Sequence, residues 1–568
     1  MSEIPNFHAQ ILNTSQLFSK ASLLPELERR TGETSGKFKS QEVANTLWAF
    51  ATMGRKPGNG LLGMLESRAE KISRDFNGQE IANTLWAFAK IGWNPGDALL
   101  KKLEARLDEI PEELQAQAVA NILWAFAKLG RKPGGGVLKM LERRTKEISE
   151  DFRAQEVAST LWAFATMGRQ PGQLVLGLLE RQAKEISGEF NAQGIANTLW
   201  AFATLGRKPG GRVLGMLEAQ TEKISEDLNA QGVANTLWAF ATMGRNPGGQ
   251  VMGLLARRVE DISGQFNAQE VANILWAFAT KGERPGERVL AMLERRAEEI
   301  SGEYNAQNVA NTLWAYARMG RKPGWRFVEM LEQRAEAISG EFNAQNVANT
   351  LWAFATLGGK PEERLRVKLE RRAEEISEEF NAQEVANTLW AYATMGEKPG
   401  ERMLEMLEGR VVKVSGEFTS QEVANTLWAL ASMDRNPGDR VLGMLERWVV
   451  EISGEFKPQG IANTLWAFAK MGRNPGDRVL EMLEARAEEM SEEFNTQDIA
   501  NTLWAFAKMG WTPGEQMLRM IERRAERISG EFNSQEVANT LWAYAAMGRK
   551  PGDRLMGMLK GRTWPNFY

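Results

Sequence analysis

The chain has 568 residues, 43% hydrophobic and 25% charged, with 70 Lys+Arg against 73 Asp+Glu and a net charge of −3. It contains no Cys and one His, His8, which removes disulfides, thiolate or imidazole metal sites, a cysteine nucleophile and an internal Ser–His–Asp relay. Most hydrolase, redox and zinc chemistries thus lose their usual residues while a carboxylate-only enzyme stays open, and the near-neutral balance is not that of a simple basic nucleic-acid binder.

No apolar run reaches the about 18 residues of a membrane span. The opening Met1-Ser2-Glu3-Ile4-Pro5 has neither a secretory-signal pattern nor the Arg-rich, acid-poor character of a transit peptide. Residues 1–37 read as a degenerate N-terminal capping repeat, because Leu27-Glu28-Arg29-Arg30 stands one period ahead of Leu65-Glu66-Ser67-Arg68. From Phe38 onward, Trp48, Trp86, Trp124, Trp162, Trp200, Trp238, Trp276, Trp314, Trp352, Trp390, Trp428, Trp466, Trp504 and Trp542 recur every 38 residues without a slip. Residues 38–568 are therefore fourteen tandem copies, expected to form one continuous array with no room for a second domain.

Each copy predicts two helices. Helix A starts at a capping box, for which Asn77 and Glu80 have the spacing, with Phe76 placed as a hydrophobic staple. Pro458 occupies a first-turn position that proline tolerates. In the first copy helix A runs through Val43–Ala51 and stops at Gly54, with Pro57 barring continuation. Helix B follows over about Leu61–Ile72, with Leu61, Leu62, Met64, Leu65, Ala69 and Ile72 on one face. Strand alternation is absent, so the expected fold is all-α: an α-solenoid superhelix of stacked two-helix repeats. A lone hairpin cannot cover its own apolar face, so each copy needs its neighbours.

On a helical wheel, Val43, Leu47, Phe50, Gly54 and Ala51 share the buried arc and Trp48 lies on its flank. Gln41, Thr52, Asn45, Ala49 and Glu42 fall opposite, and would face a bound chain if helix A lines the concave side and helix B the outside. The Gln41 position is Gln in all fourteen copies, and the Asn45 position is Asn in all but one, where Ser159 stands. Identical residues add affinity but cannot tell one ligand unit from the next. The Glu42 and Thr52 positions do vary. Candidate contacts are Gln41, Glu42, Asn45 and Thr52; Gln79, Glu80, Asn83 and Lys90; Gln117, Asn121 and Lys128; Gln193, Gly194 and Asn197; Gln231, Gly232 and Asn235. They continue with Gln307, Asn308, Asn311 and Arg318; Gln345, Asn346 and Asn349; Gln459, Gly460, Asn463 and Lys470; Gln497, Asp498, Asn501 and Lys508. Glycine at a solvated helical site costs about 1 kcal/mol against Ala, so Gly194, Gly232 and Gly460 suggest a close neighbour there, or recent duplication of one copy.

The flank position of the tryptophans favours a packing ladder between copies over base-stacking platforms. The Asn45 series is open to two readings, a structural ladder between adjacent helices or ligand contact. Trp93 and Trp511 replace the usual Arg between helices A and B, where they can stack on a base or simply lie on the surface.

Charge is sorted by edge. Two loop positions after helix A carry 17 basic residues against Glu283 and Glu397, including Arg55, Lys56, Arg131, Lys132, Arg207, Lys208, Arg321, Lys322, Arg549 and Lys550. The pair before each next helix A carries 17 acidic residues, such as Glu112, Glu113, Glu378 and Glu379, against Lys37 and Arg74. Stacking in register turns this into a basic rim, a candidate track for phosphates. Helix-terminus preferences produce the same sorting.

The segment Gln-Glu-Val-Ala-Asn-Thr-Leu-Trp-Ala-Phe-Ala (Gln41 to Ala51) on a 38-residue period resembles the octotricopeptide repeat family. That resemblance implies an α-solenoid of the kind imported into chloroplasts or mitochondria, which binds particular transcripts and controls their stability, processing or translation. It makes the Gln41, Glu42, Asn45 and Thr52 positions candidate contacts to single-stranded RNA, roughly one nucleotide per copy. The family's Pro-Pro-Pro-Glu-Trp signature is replaced by Lys56-Pro57-Gly58, and the RAP domain of many members is not seen before the closing Trp564-Pro565-Asn566-Phe567-Tyr568. The expectation is RNA binding without catalysis, cofactor, metal or membrane. The rival expectation is a scaffold for a partner protein, with the Asn45 series holding an extended peptide.

Overall fold

The computed structural model describes residues 24–563. His8 and most of the expected capping repeat lie outside the described residues. Among those described there are 29 α-helices and no strand, joined in a repeating order of helix A, helix B and a short 3-10 turn. The architecture is an α-solenoid of stacked two-helix repeats. The chain divides into two compact units, residues 1–265 and 266–568. The first holds helix Leu24–Ser35 and the first six copies, and the second holds the remaining eight. No helix among the described residues is long and apolar enough to cross a membrane.

In the first copy helix A is Ser40–Thr52 and helix B is Asn59–Lys71. The boundaries follow from local chemistry. Asn77 Oδ1 accepts from the Glu80 N–H at 2.9 Å while the Asn77 N–H donates to Glu80 Oε2 at 3.0 Å, closing the predicted box. Pro458 opens its helix at the first turn. Gly54 turns left-handed at φ 63, and its counterparts do the same in every copy except one, where Asp434 holds φ 50. The 3-10 turn Ser73–Asp75, which the two-helix reading did not include, and its counterparts carry the acidic residues of this edge, with none in Ser263–Gln265. Gly54 is exposed beyond the helix end and does not belong to the buried arc.

Within each unit, successive A helices pack along their lengths, and B helices form a second, more loosely joined layer. Val43, Leu47 and Phe50 are buried with Leu61, Leu62, Leu65 and Ala69, as the wheel predicted, whereas Met64 is exposed. Helix A has a neighbour on each flank as well as its own helix B, so a single apolar arc does not describe it. The Ala49 position, expected on the open side, is buried from the second copy onward, as at Ala87, Ala125, Ala163 and Ala201. The Thr84 position is buried too, and Ile122 and Ile274 occupy it in the third and seventh copies.

Candidate functional site

What remains open on helix A is a narrow stripe at spacings of four, three and four residues: the positions of Gln41, Asn45, Trp48 and Thr52. The glutamines are exposed in every copy and the asparagines half-buried. Lys90, Lys128, Arg318, Lys470 and Lys508 are exposed at the Thr52 position. Across all fourteen copies these four positions contain five basic residues and no acid, in a chain whose total charge is −3. The stripe of each A helix thus carries only neutral or basic side chains.

Most of its carboxamides are unspent. Gln79 Nε2 donates to Asn83 Oδ1 at 2.9 Å. Among the described residues no other side-chain hydrogen bond engages the Gln41 or Asn45 positions, so Asn121, Asn197, Asn235, Asn311, Asn349, Asn463 and Asn501 form no ladder between helices. The corresponding Gln117, Gln193, Gln231, Gln307, Gln345, Gln459 and Gln497 side chains likewise face solvent. Thr52 Oγ1 donates to the Trp48 carbonyl one turn back at 2.8 Å.

The tryptophans share this stripe and do not lie on a covered flank. They are half-buried in every copy except the last, where Trp542 is exposed. Trp86, Trp124, Trp162 and Trp200 run in series with ring centroids 6.3–6.4 Å apart and planes 33–36° from parallel. Trp276, Trp314, Trp352 and Trp390 repeat this at 6.3–6.4 Å and 28–32°. The expected packing ladder is present.

The Glu42 position is corrected by the structure. Lys39 N–H donates to Glu42 Oε2 at 2.8 Å, and Glu80 closes the box described above. Asn308, Asn346 and Asp498 reach back in the same way to the amides of Asn305, Asn343 and Asn495, at 3.3–3.4 Å, and all three are buried. Burial holds the carboxyls of Glu270, Glu384 and Asp498 above the usual range, while the cap N–H pulls the other way. Asn308, Asn346 and Asp498 are thus turned into the helix start, whereas Glu42 caps its helix and stays exposed. The close neighbour inferred at the glycines is the protein itself. A Cβ on Gly232 would stand 3.0 Å from Leu228, and on Gly194 or Gly460 3.3 or 3.2 Å from Phe190 or Phe456.

The basic rim is also partly spent. Arg131 pairs with Asp97 at 3.0 Å, and Arg321 and Arg549 pair with Glu287 and Glu515, each acid lying at the start of the preceding copy's helix B. Arg207 donates to Gln170 at 3.0 Å. Lys56 donates to the Gly92 carbonyl at 3.4 Å and stays exposed, as do Arg55, Lys132, Lys208, Lys322 and Lys550. The open charge of this edge is therefore mainly its lysines. Trp93 and Trp511 are half-buried, with indole N–H groups donating to Glu66 and Glu484 at 2.7 and 2.8 Å, so they are tethered in place of the arginine they replace.

Two further recurring positions fix the hairpin and its stacking. Arg106 Nε donates to the Phe76 carbonyl at 3.0 Å, tying helix B to the entry of its own helix A, and Arg296, Arg334 and Arg410 repeat this at 2.7–2.8 Å. Glu66 accepts from the Gly96 N–H at 2.7 Å, capping helix B of the next copy. Glu28 does the same for Gly58 at 3.2 Å from within the degenerate first segment. Both positions recur on the same frame as the tryptophans, and that signal was available.

Of solved structures, the chain resembles a full-length AP-3 complex homology model in an intermediate open conformation, with TM-score 0.31, 9% identity and 98% of each chain covered. It also resembles the crystal structure of the karyopherin Kap121p bound to the SUMO protease Ulp1p, with TM-score 0.23, 8% identity, and 97% of this chain and 79% of that one covered. No curated protein sequence matches. Residues 33–47 and 73–85 match a family described as a protein of unknown function. Residues 96–210, 217–436, 321–474 and 435–555 match the model of the RNA-editing substrate-binding complex 6 protein. Those segments span well over half of the sequence, and the chain belongs to that helical-repeat family.

Proposed function

We propose that the protein binds single-stranded RNA along the open stripe of its A helices, as a non-catalytic member of an RNA-processing assembly. The carrying observation is the stripe itself: unpartnered Gln and Asn carboxamides in every copy but two, those of the Gln79–Asn83 bond and of Ser159, with five exposed cations and no carboxylate. A strand of phosphates is the ligand for which such a surface is selective, because any acid on the stripe would repel it. The family's name, which places its members in a substrate-binding complex for RNA editing, supports the same ligand class and a protein partner beside it. The narrower octotricopeptide assignment, with action on chloroplast or mitochondrial transcripts, rests on the Gln41–Ala51 resemblance. The exposed lysines Lys56, Lys132, Lys208, Lys322 and Lys550 add a second line of positive charge.

The test is a fluorescence-anisotropy titration of a mixed single-stranded RNA pool at several salt concentrations. Affinity falls as salt rises, and the K90A/K128A/K470A/K508A variant loses up to about 3 from the slope of log K against log salt, at ~0.7 per phosphate contact. A chain that retains no RNA at low salt contradicts the reading and leaves the peptide scaffold.

A further inference from the structure

The tryptophan ladder has a chemistry that its packing does not use. From Trp86 to Trp200 and from Trp276 to Trp390 the indoles pack against those of adjacent copies at 28–36°, so the ring surface turned toward each neighbour is taken up by protein and does not serve as a platform for bases. The ring also carries one N–H, a donor with no acceptor capacity. At Trp86, Trp124, Trp162, Trp200, Trp352 and Trp390 that N–H has no partner among the described residues. Nor does it figure among the side-chain N and O atoms that are both buried and unpartnered, so it is open to solvent. The same fold ties down its other tryptophans where it can: Trp93 and Trp511 donate to Glu66 and Glu484. Along Trp86, Trp124, Trp162 and Trp200, and again at Trp352 and Trp390, these open donors sit on rings whose centroids are 6.3–6.4 Å apart, close to the phosphate-to-phosphate step of an extended single strand.

Position matters as well as chemistry. The indoles lie between the Asn45 and Thr52 positions on the acid-free stripe, beside Lys90 and Lys128 in the second and third copies. Trp, Gln and Asn recur almost without variation, and the variable Glu42 position is engaged in helix caps in several copies, as at Asn308 and Asp498. Constant donors match what is constant in a nucleic acid, its backbone, and not the bases that distinguish one transcript from another.

We infer that the indole N–H groups of the ladder form a rail that donates hydrogen bonds to the phosphodiester oxygens of single-stranded RNA, so that the strand is held with little regard to base identity. This rests on the RNA-binding reading above and assigns the tryptophans a binding role in addition to packing. An extended peptide backbone, with its carbonyls, is the competing occupant; the acid-free, basic stripe favours the polyanion.

The test uses the full chain and W124F/W162F/W200F, in which phenylalanine keeps a ring and removes the N–H. Labelled uridine, cytidine and adenosine homopolymers bind the wild type within about fivefold of one another. The variant, folded by circular dichroism with a similar melting midpoint, loses about tenfold or more on each. A second readout needs no variant: in wild type labelled with 15N at the indoles, RNA shifts the ladder N–H resonances and leaves those of Trp93 and Trp511 in place. If wild type binds no RNA, the functional reading itself fails. RNA binding with undiminished affinity in the variant, unmoved ladder resonances, or about hundredfold preference for one homopolymer overturns the rail alone. Ladder shifts with an extended Gly/Ser peptide and none with RNA assign the rail to a peptide and overturn it too.

Discussion

Thr350 is fully buried, and its hydroxyl has no partner, a condition repeated at Thr84, Thr160, Thr198, Thr236 and others on the same frame. An orphaned buried hydroxyl costs about 1–3 kcal/mol, and Ile274 fills the equivalent place with no polar atom. Thr350→Val therefore raises stability by about 1 kcal/mol, read as a higher thermal midpoint; a lower midpoint contradicts the assignment. Asp434 is the one non-glycine residue with positive φ among the described residues, at φ 50 where thirteen copies have Gly. Its exposed pair with Lys470 at 3.4 Å offsets little. Asp434→Gly gains about 1 kcal/mol by relieving the left-handed conformation, with unfolding as the check. At this scale the core of helix A was legible from Val43, Leu47 and Phe50, whose spacing is helical. The Glu42 and Ala49 positions were misplaced because a wheel assigns one buried face, whereas a helix between two like helices is covered on both flanks and keeps only a narrow stripe.

At the scale of helices, the sequence signals were strongest where the physics is local. Capping residues, the Gly54 stop and the 38-residue frame each act within a few residues or through repetition, and the predicted A and B helices follow them. The bonds that register one copy on the next join positions about 30 residues apart, such as Glu66 to Gly96, and no helical periodicity reports those. These clasps make stability depend on pH. Burial raises the carboxyls of Glu104, Glu142 and Glu180 above their ordinary range, partly offset by the amides of Gly134, Gly172 and Gly210. A carboxyl with a raised folded pKa binds its proton more tightly in the native chain. Its contribution is therefore full below the unfolded value of about 4.3 and is lost as pH rises through the folded value. In E104Q/E142Q/E180Q, whose amides do not ionise, the midpoint difference from wild type moves in the variant's favour between about pH 4 and pH 7. A difference that stays constant over that interval contradicts the burial assignment.

At the scale of the molecule, the division of charge between edges was readable in the sequence, but its availability was not. Arg131, Arg321 and Arg549 look like a phosphate track in one dimension, and stacking brings each to an acid one copy earlier. The stripe of Gln41, Asn45, Trp48 and Thr52 positions is left as the surface with unpaired polar groups and no opposing charge. A molecule that repeats one such surface fourteen times gains affinity by adding identical weak contacts, and the two compact units each carry a share of it. The most direct test of this account is ultraviolet crosslinking of bound single-stranded RNA to the full chain, followed by mapping of the modified peptides. The account predicts that crosslinks concentrate in the helix A segments, at the Gln41, Asn45, Trp48 and Thr52 positions of several copies. Crosslinks confined to the B helices or to the acidic 3-10 turns would contradict it.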